Sequence, residues 1–319
     1  MQQIVQTFDV SAVTPFTGAQ FIVGWLFMPD NIGFVSPQSL VVCLSGGTYS
    51  KSYFHFSVHG YAGYSMAEYF TKRGHLFLAL DHLGVGESTQ PEEEHLLTRA
   101  VHADAHHEVV KTVLERLARG IRSCSLPPMT GLSITGVGHS MGGMILVTQQ
   151  GRYSSYDRIA ALGWVNIPSA VPALNLLPPD DSSGYLPANR IDTKTVFYME
   201  DVPDAIIEAD EKAATTVSAT LLRELLIPGI SREEAARITV PVFIGFGERD
   251  MSLDPYIEPS AYSSSSDVTL YILMGSGHCH NISSTRKRLW GRLCEWIESD
   301  IRVSQGTSQE WREARRGTP

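Results

Sequence analysis

The stretch LSITGVGHSMGGMILVTQQ (132–150) joins two apolar runs through GHSMGG, in which three glycines surround one serine. Residues 138–142 match G-x-S-x-G, the nucleophile elbow, whose glycines permit a sharp strand-to-helix turn that exposes the serine Oγ. By itself the pattern is weak, because a chain of this length contains it by chance roughly one time in ten. Here it follows a strand-like run and opens a helix-like one, as the motif requires. We therefore predict that Ser140 is a nucleophile and not simply a small packing residue.

Strand-like and helix-like segments alternate along most of the chain. Apolar runs typical of buried strands lie at 18–29, 39–47, 76–88, 132–138, 158–168, 238–250 and 267–278, and helical patterns lie at 64–75, 99–120 and 284–300. This alternation predicts an α/β fold with a mostly parallel sheet and helices on both faces. In such sheets, functional residues gather in the loops at the carboxyl ends of the strands.

The alternation fails between residues 168 and 237. This part of the chain contains a proline-rich stretch followed by DAIIEADEKAATTVSATLLRELL, which has a helical pattern. Long insertions are usually functional or disordered, and the apolar helical content favours order. We therefore predict a core in two parts (1–167 and 238–302), a helical cap or lid insertion (168–237) and a polar tail (303–319).

The composition favours a soluble globular protein. Of 319 residues, 43% are hydrophobic and 18% charged, and the net charge of −9 argues against nucleic acid or an anionic membrane as a partner. No secretory signal and no apolar run near the ~18 residues of a membrane span are visible. We expect a cytoplasmic protein with reduced cysteines and a small-molecule substrate. The oligomeric state is left open, and a homo-oligomer is compatible with the sequence.

A serine nucleophile needs a base, and the base needs an orienting acid. After a G-x-S-x-G elbow, the expected chain order is serine, acid, histidine. GFGERD (245–250) ends one predicted strand with Asp250, and GSGHCHN (275–281) places His278 after the last one. We predict these two residues as the acid and the base. Asp254 and Glu248 compete for the role of the acid, and His280 competes for that of the base.

The elbow also needs backbone N–H groups that stabilise an oxyanion. We predict the N–H of Met141, directly after the serine, and that of Gly47 in SGGT (45–48), with Thr48 as the alternative. The segment DHLGVGES (81–88) is interpreted as a tight structural loop that forms one wall of the site. No G-x-G-x-x-G pattern opens a helix after it, which argues against a dinucleotide site. The acid of the triad could also come from the strand before the insertion, but Asn166 at that position has no carboxylate.

Two histidine groups raise the question of a metal. His102 and His106 are spaced i, i+4 on a predicted helix, with Asp104, His107 and Glu108 nearby, as in a zinc-binding face. We interpret this as a solvated helix face because no third ligand is anchored at a strand end. His278-Cys279-His280 is better explained by the triad. No metal and no cofactor are therefore predicted.

The motifs LSGGTYSKSYF, DHLGVGES, GHSMGG, GERD and GSGHCHN together resemble the α/β-hydrolase fold superfamily, over about residues 20 to 300. The resemblance implies an eight-stranded, mostly parallel sheet, a helical cap after the sixth strand, and a cofactor-free enzyme with a triad of Ser140, His278 and Asp250. Ser45 departs from the many members that carry histidine there, which leaves the second oxyanion donor in doubt. Serine in place of aspartate as nucleophile argues against epoxide hydrolases and haloalkane dehalogenases.

The resemblance implies acyl transfer from an ester, lactone or thioester of a moderately hydrophobic small molecule. A non-hydrolytic enzyme of the same fold (lyase, C–C cleavage or rearrangement) is the alternative, and a binding protein without catalysis is a third. We predict substrate contacts at Thr48, His139, Trp164 and Tyr185. The remaining apolar residues of the insertion can form its own core or line a pocket; they are Leu174, Leu176, Leu177, Phe197, Tyr198 and Met199.

Overall fold

The computed structural model describes residues 1–30, 39–124, 126–170, 183–188, 190 and 193–299. Its centre is an eight-stranded sheet with the spatial order β1-β2-β4-β3-β5-β6-β9-β10. The strands are β1 (Gln2–Asp9), β2 (Phe21–Met28), β3 (Ser39–Leu44), β4 (Leu76–Leu80), β5 (Ser133–His139), β6 (Arg158–Leu162), β7 (Tyr185–Leu186), β8 (Val217–Ser218), β9 (Val242–Gly247) and β10 (Val268–Leu273). The pairs β1–β2 and β2–β4 are antiparallel. Each following pair of neighbours, from β4–β3 to β9–β10, is parallel.

The central strands are apolar throughout because both faces of the sheet are covered. Every residue of β3 and β4 is buried. Alternate side chains belong to two different cores: Val42 and Leu78 pack into one, whereas Val41 and Phe77 pack into the other. The predicted fold class, a mostly parallel eight-stranded sheet between helical layers, is therefore confirmed.

The helices divide between the two faces. They are α1 (Met66–Thr71), α2 (Arg99–Arg119), α3 (Met141–Tyr153), α4 (Lys194–Phe197), α5 (Asp204–Lys212), α6 (Ala219–Leu225), α7 (Arg232–Arg237) and α8, which covers 286–299. Helices α2 and α3 contribute Val109 and Ile145 to the core on one face. Helices α1 and α8 contribute Phe70 and Trp290 to the other. The sheet is thereby held rigid, with its parallel strands all ending at one edge.

The first strand, β1, was not predicted from the sequence. QQIVQTFD carries a weak alternation, and only Gln6 and Phe8 of β1 are buried. The strand exists because it pairs along its whole length with β2, from Gln2 opposite Met28 to Asp9 opposite Phe21. β1 is therefore defined more by its pairing with the apolar strand β2 than by its own sequence pattern.

The segment of the insertion that has a helical pattern forms two helices with an extended break between them. Helix α5 ends at Lys212, β8 pairs with β7, and α6 begins after Ser218, whose side chain accepts a hydrogen bond from the N–H of Leu221. The β-branched run Thr215-Thr216-Val217 favours this extended break. Leu174, Leu176, Leu177 and the tail 303–319 lie outside the described residues. No helix in the described ranges is long and apolar enough to cross a membrane.

Candidate active site

Ser140 occupies the sharp turn between β5 and α3. Its backbone adopts φ 54° and ψ −119°, a strained conformation for a residue with a side chain. Its N–H donates a hydrogen bond to the carbonyl of Leu162 over 2.7 Å. A Cβ at Gly138 would lie 2.3 Å from the carbonyl oxygen of Gly142, and one at Gly142 would lie 2.2 Å from that of Leu44. Glycine is therefore required at both positions, and the geometry is that of the predicted elbow.

Asp250 and His278 form a buried pair beside this turn. Asp250 follows β9 and His278 follows β10; Oδ1 and Nδ1 lie 2.5 Å apart, and each side chain is 2% exposed. The N–H groups of Gly247 and Met251 each donate to the carboxylate over 2.7 Å. Burial would raise the pKa of Asp250, but the charge of His278 and hydrogen bonds from His278 and His280 bring that pKa well below its usual value. The carboxylate is therefore the stable form.

The competing acids and the competing base have distinct positions. Glu248 accepts a hydrogen bond from the N–H of Gly275 over 2.7 Å, and Asp254 accepts one from the N–H of Tyr256 over 3.1 Å. Of the three candidate carboxylates, Asp250 is the one that contacts His278. His280 Nε2 lies 2.8 Å from the second oxygen of Asp250, a contact that sequence analysis missed. One carboxylate thus binds two histidines.

The His278 ring lies against His139, which precedes Ser140, and against Gly163. Its centroid is 4.7 Å from that of His139, whose Nε2 donates to the carbonyl of His278 over 2.8 Å. A Cβ at Gly163 would lie 2.9 Å from the His278 ring, and Gly163 follows the Leu162 carbonyl that binds the Ser140 N–H. Ser140 Oγ has no hydrogen-bond partner within the described part of the chain; catalytic hydrogen bonds of this kind often tighten only when substrate binds.

The loop after β3 packs on the elbow. A Cβ at Gly46 would lie 3.2 Å from Cβ of Ser140, and one at Gly47 would lie 3.6 Å from Sδ of Met141. Thr48 has a positive φ of 65°, which closes the turn in which the Tyr49 N–H donates to the Gly46 carbonyl over 3.2 Å. Neither the Gly47 nor the Met141 N–H donates to any residue that the structure describes. Both donors are thus free to bind an anion.

A buried polar network joins this loop to the insertion. Arg190 donates to the hydroxyl and carbonyl oxygens of Thr48 over 2.8–3.0 Å and to the carboxylate of Asp210 over 3.0 Å. Tyr49 and Tyr198 donate their hydroxyls to the same carboxylate over 2.6 and 2.5 Å. The guanidinium also lies 4.0 Å from the centroid of the Tyr49 ring. The insertion is therefore anchored on the loop that carries the Gly47 N–H.

The side chains that were predicted to contact substrate form hydrogen bonds with other residues of the protein. The hydroxyl of Thr48 binds Arg190, and His139 binds the His278 carbonyl. Trp164 Nε1 donates to Asn166 and to Ser231 over 3.1 and 2.9 Å, and the Tyr185 hydroxyl donates to the carbonyl of Pro91 over 2.8 Å. Their role in binding substrate stays a prediction. Phe197 of α4 lies closer to the site, with its ring centroid 5.3 Å from that of His278.

The structure corrects the interpretation of His102 and His106 as a solvated helix face. Both are fully buried and lie beside His82, the second residue after β4. A third histidine is therefore anchored at a strand end, contrary to the premise on which the metal was rejected. The signal was present in DHLGVGES, but the sequence does not show which face of α2 meets that loop.

The other residues considered as metal ligands and then rejected have separate partners. Asp104 pairs with Arg152, and Glu108 pairs with Lys111, both at the surface of α2. Cys279 Sγ lies 3.1 Å from the Tyr49 hydroxyl, between two histidines that both bind Asp250. The two histidines of this motif therefore both contact Asp250.

Comparisons with known proteins identify the family and the fold of the chain. The sequence profile of the alpha/beta hydrolase family matches residues 41–289. Similar solved structures include a monoglyceride lipase from Saccharomyces cerevisiae (TM-score 0.65, 15% identity, 87% of this chain and 91% of that one) and a haloalkane dehalogenase from Bradyrhizobium elkanii (0.63, 12%, 95% and 100%). A proline iminopeptidase from Mycobacterium smegmatis is also similar (0.61, 15%, 94% and 100%). A search of curated protein sequences gave no significant match.

These solved structures perform different chemistry, and at such low identity they show the fold alone. The family match covers most of the chain, including the elbow, Asp250 and His278. The chain therefore belongs to the alpha/beta hydrolase family.

Proposed function

We propose that the protein is a serine hydrolase that cleaves an ester, lactone or thioester of a moderately hydrophobic small molecule. One observation carries the proposal: a strained Ser140 stands beside a buried Asp250–His278 pair whose imidazole packs on His139, the residue before the serine. Strain held at a nucleophile and an acid that orients a histidine are together characteristic of acyl transfer.

In the first half of the proposed reaction, Ser140 Oγ attacks the carbonyl carbon while Nε2 of His278 takes its proton. Asp250 accepts the hydrogen bond from Nδ1–H, so the free nitrogen is Nε2, and the low pKa of Asp250 keeps the carboxylate charged beside the imidazolium. The N–H groups of Met141 and Gly47 stabilise the oxyanion. The tetrahedral intermediate collapses when the imidazolium gives its proton to the departing alcohol or thiol.

In the second half, water attacks the acyl group on Ser140. His278 accepts a proton from this water, a second tetrahedral oxyanion forms between the same N–H groups, and the proton returns to Ser140 Oγ as the acid leaves. All protons are conserved, and no step requires a cofactor.

The inserted segment 168–237 is proposed to be the cap that selects the substrate. Two contacts support this role: Arg190 binds the loop that carries Gly47, and the ring of Phe197 lies against His278. The carbonyls of Val196 and Phe197 accept hydrogen bonds from the N–H groups of His278 and Cys279 over 2.8 and 3.1 Å. A cap bonded to the catalytic histidine loop is expected to influence kcat as well as KM.

The test is a comparison of the wild type with Ser140→Ala on short- and medium-chain p-nitrophenyl esters, thioesters and aryl lactones. Ser260→Ala is the control, since this exposed serine bonds only to the carbonyl of Ile257. We expect turnover by the wild type and the control, and a loss of at least 10³-fold in Ser140→Ala. If the folded wild type turns over no acyl substrate, the hydrolase proposal fails, and the lyase or rearrangement alternative takes its place.

A further inference from the structure

Three histidines are fully buried together behind the candidate active site. His82 follows β4, whereas His102 and His106 lie one turn apart on α2. The rings of His102 and His106 are nearly parallel, and the His82 ring meets them edge-on at centroid distances of 5.5 and 5.0 Å. One nitrogen from each ring lies within 4.8 Å of the other two. The cluster, here called the three-histidine cluster, takes no part in the proposed reaction.

Hydrogen bonding leaves several of these nitrogens without partners. Nε2 of His82 lies 2.8 Å from the carbonyl of Ser45; since a carbonyl only accepts, Nε2 carries the proton and Nδ1 is an acceptor. Nδ1 of His82 accepts a hydrogen bond from Nε2–H of His106 over 2.8 Å. Both nitrogens of His102 and Nδ1 of His106 are buried with no partner in the described structure. Buried polar atoms without partners are unfavourable and demand an explanation.

A metal ion would give one of the unpaired nitrogens of His102 a partner and would take the place of the contact between His82 and His106. Zinc binds the neutral form of imidazole, and all three side chains are fully buried. A histidine bound to metal commonly donates its other N–H to a carbonyl, as His82 does to Ser45. In tetrahedral zinc sites, bonds of about 2.0–2.1 Å place the ligand nitrogens roughly 3.3–3.4 Å apart. The cluster reaches that spacing if Nδ1 of His82 and Nε2 of His106 separate slightly and His102 approaches.

We propose that His82, His102 and His106 bind one divalent transition-metal ion, with Zn²⁺ as the best fit, through one nitrogen each. A solvent oxygen completes the tetrahedron. Three neutral imidazoles suit zinc and its neighbours Co²⁺ and Ni²⁺, and disfavour Mg²⁺ and Ca²⁺, which require oxygen ligands.

The position of the cluster gives the ion a structural role. His82 holds the carbonyl of Ser45, against which the start of α3 packs so closely that a Cβ at Gly142 would lie 2.5 Å from this oxygen. Ser45 also directly precedes Gly46 and Gly47. An ion in the cluster would therefore tie together the end of β4, helix α2 and the loop that presents the Gly47 N–H. The three histidines are positioning residues, and no step of the reaction passes through the ion.

The first experiment uses untagged full-length protein that has been stripped with a chelator and titrated with Co²⁺ and with Zn²⁺. We expect one high-affinity ion per chain at this site, and visible ligand-field bands of tetrahedral Co²⁺ without thiolate charge transfer. That spectrum distinguishes the cluster from His75, Cys294 and Glu298, a second group whose donor atoms are close together and which would add a sulfur ligand. Saturating Zn²⁺ is also expected to raise the Tm.

The matched variants are His102→Gln and His107→Gln. His102 has no hydrogen bond to lose, whereas His107, five residues further along α2, bonds to Ser155 outside the cluster. We expect Zn²⁺ affinity to fall at least tenfold in His102→Gln, with the Tm shift abolished, and to be unchanged in His107→Gln. The proposal is overturned if the wild type shows no tetrahedral Co²⁺ spectrum. Equal Zn²⁺ affinity of the wild type and His102→Gln would also overturn it. The wild-type spectrum decides the matter even if His102→Gln does not fold.

Discussion

The carboxylate of Asp250 lies 2.5 Å from Nδ1 of His278, and neither side chain is more than 2% exposed. The other carboxylate oxygen binds His280 and the Gly247 N–H, so the carboxylate cannot rotate away from His278 without losing both contacts. A fixed carboxylate fixes the tautomer of the imidazole, which leaves Nε2 as the proton acceptor.

Replacing Asp250 with asparagine should remove the fixed tautomer while leaving the shape nearly unchanged. An amide can present its N–H₂ to Nδ1, which places the proton of His278 on the wrong nitrogen. We expect kcat to fall by roughly 10³–10⁴-fold on any ester that the wild type cleaves. The matched control is Asp254→Asn, an exposed candidate acid that contacts only the N–H of Tyr256. Steady-state kinetics decide the assignment: a larger loss in the control would move the acid to Asp254.

The two histidines bound to Asp250 should not be equivalent. His278→Ala removes the proposed base, and we expect kcat to fall by about 10²–10⁴-fold. His280→Ala removes one hydrogen bond to a carboxylate that still receives two from backbone N–H groups. A loss nearer tenfold is therefore expected. The measurement is kcat for both variants, with circular dichroism as a check on folding. A larger loss of kcat in His280→Ala than in His278→Ala would make His280 the base.

Gly163 should be needed for the position of His278. A methyl group there would lie 2.9 Å from the imidazole and 3.4 Å from Oδ1 of Asp250. We expect Gly163→Ala to lower kcat at least tenfold, because displacement of a catalytic group by a fraction of an ångström is costly. Gly184→Ala is a matched control: the φ values are 61° and 76°, but nothing lies within 4 Å of a Cβ at Gly184.

Both alanine variants should lose about 1–2 kcal/mol of stability from the positive φ alone. Urea unfolding measures this common loss, and kinetics measure the difference. Equal kcat values in the two variants would contradict the proposed position of the imidazole.

Glu258 should make stability depend on pH. Burial raises its pKa from 4.5 to about 7, although hydrogen bonds from Asn166 oppose the rise. Below pH 4.5 the carboxyl is protonated in both folded and unfolded chains. Between about pH 4.5 and 7, the unfolded chain loses its proton while the folded one keeps it. The free energy of unfolding should therefore fall as pH rises through this window.

The comparison that isolates this effect is the wild type against Glu258→Gln, which resembles the protonated form. Urea unfolding at several pH values should show the wild-type free energy falling by an amount on the order of 1–3 kcal/mol relative to the variant. The contribution of Asp250 has the opposite sign, because its lowered pKa makes stability decline only on acidification below 3.8. Parallel curves for the two proteins would show that Glu258 is ionised when folded.

The proximity of Ser140, Asp250 and His278 could be predicted because each follows an apolar run, and parallel strands bring their carboxyl ends to one edge. The second contact of Asp250 with His280 could not, since it depends on how the loop after β10 folds back. The burial of His102 and His106 was also beyond the sequence. Helix α2 has polar residues on several faces, and only packing against the loop after β4 decides which of them are buried.

The insertion was predictable as an interruption of the pattern but not in its contacts. Arg190 and Asp210 are twenty residues apart, and nothing in their spacing indicates that they meet on Thr48 and Tyr49. Likewise, Trp164 is apolar enough to suggest a pocket, yet its Nε1 bonds to Asn166 and Ser231. Such polar pairs depend on long-range geometry and have no local pattern.

The central claim is that Ser140 is a nucleophile activated by His278, and covalent labelling tests it most directly. Full-length protein is treated with a fluorophosphonate, followed by intact-mass measurement and peptide mapping of the wild type, Ser140→Ala and His278→Ala. We predict one adduct per chain on Ser140 in the wild type, none in Ser140→Ala, and labelling slowed at least 10²-fold in His278→Ala. An unlabelled wild type, or an adduct that persists in Ser140→Ala, would contradict the account.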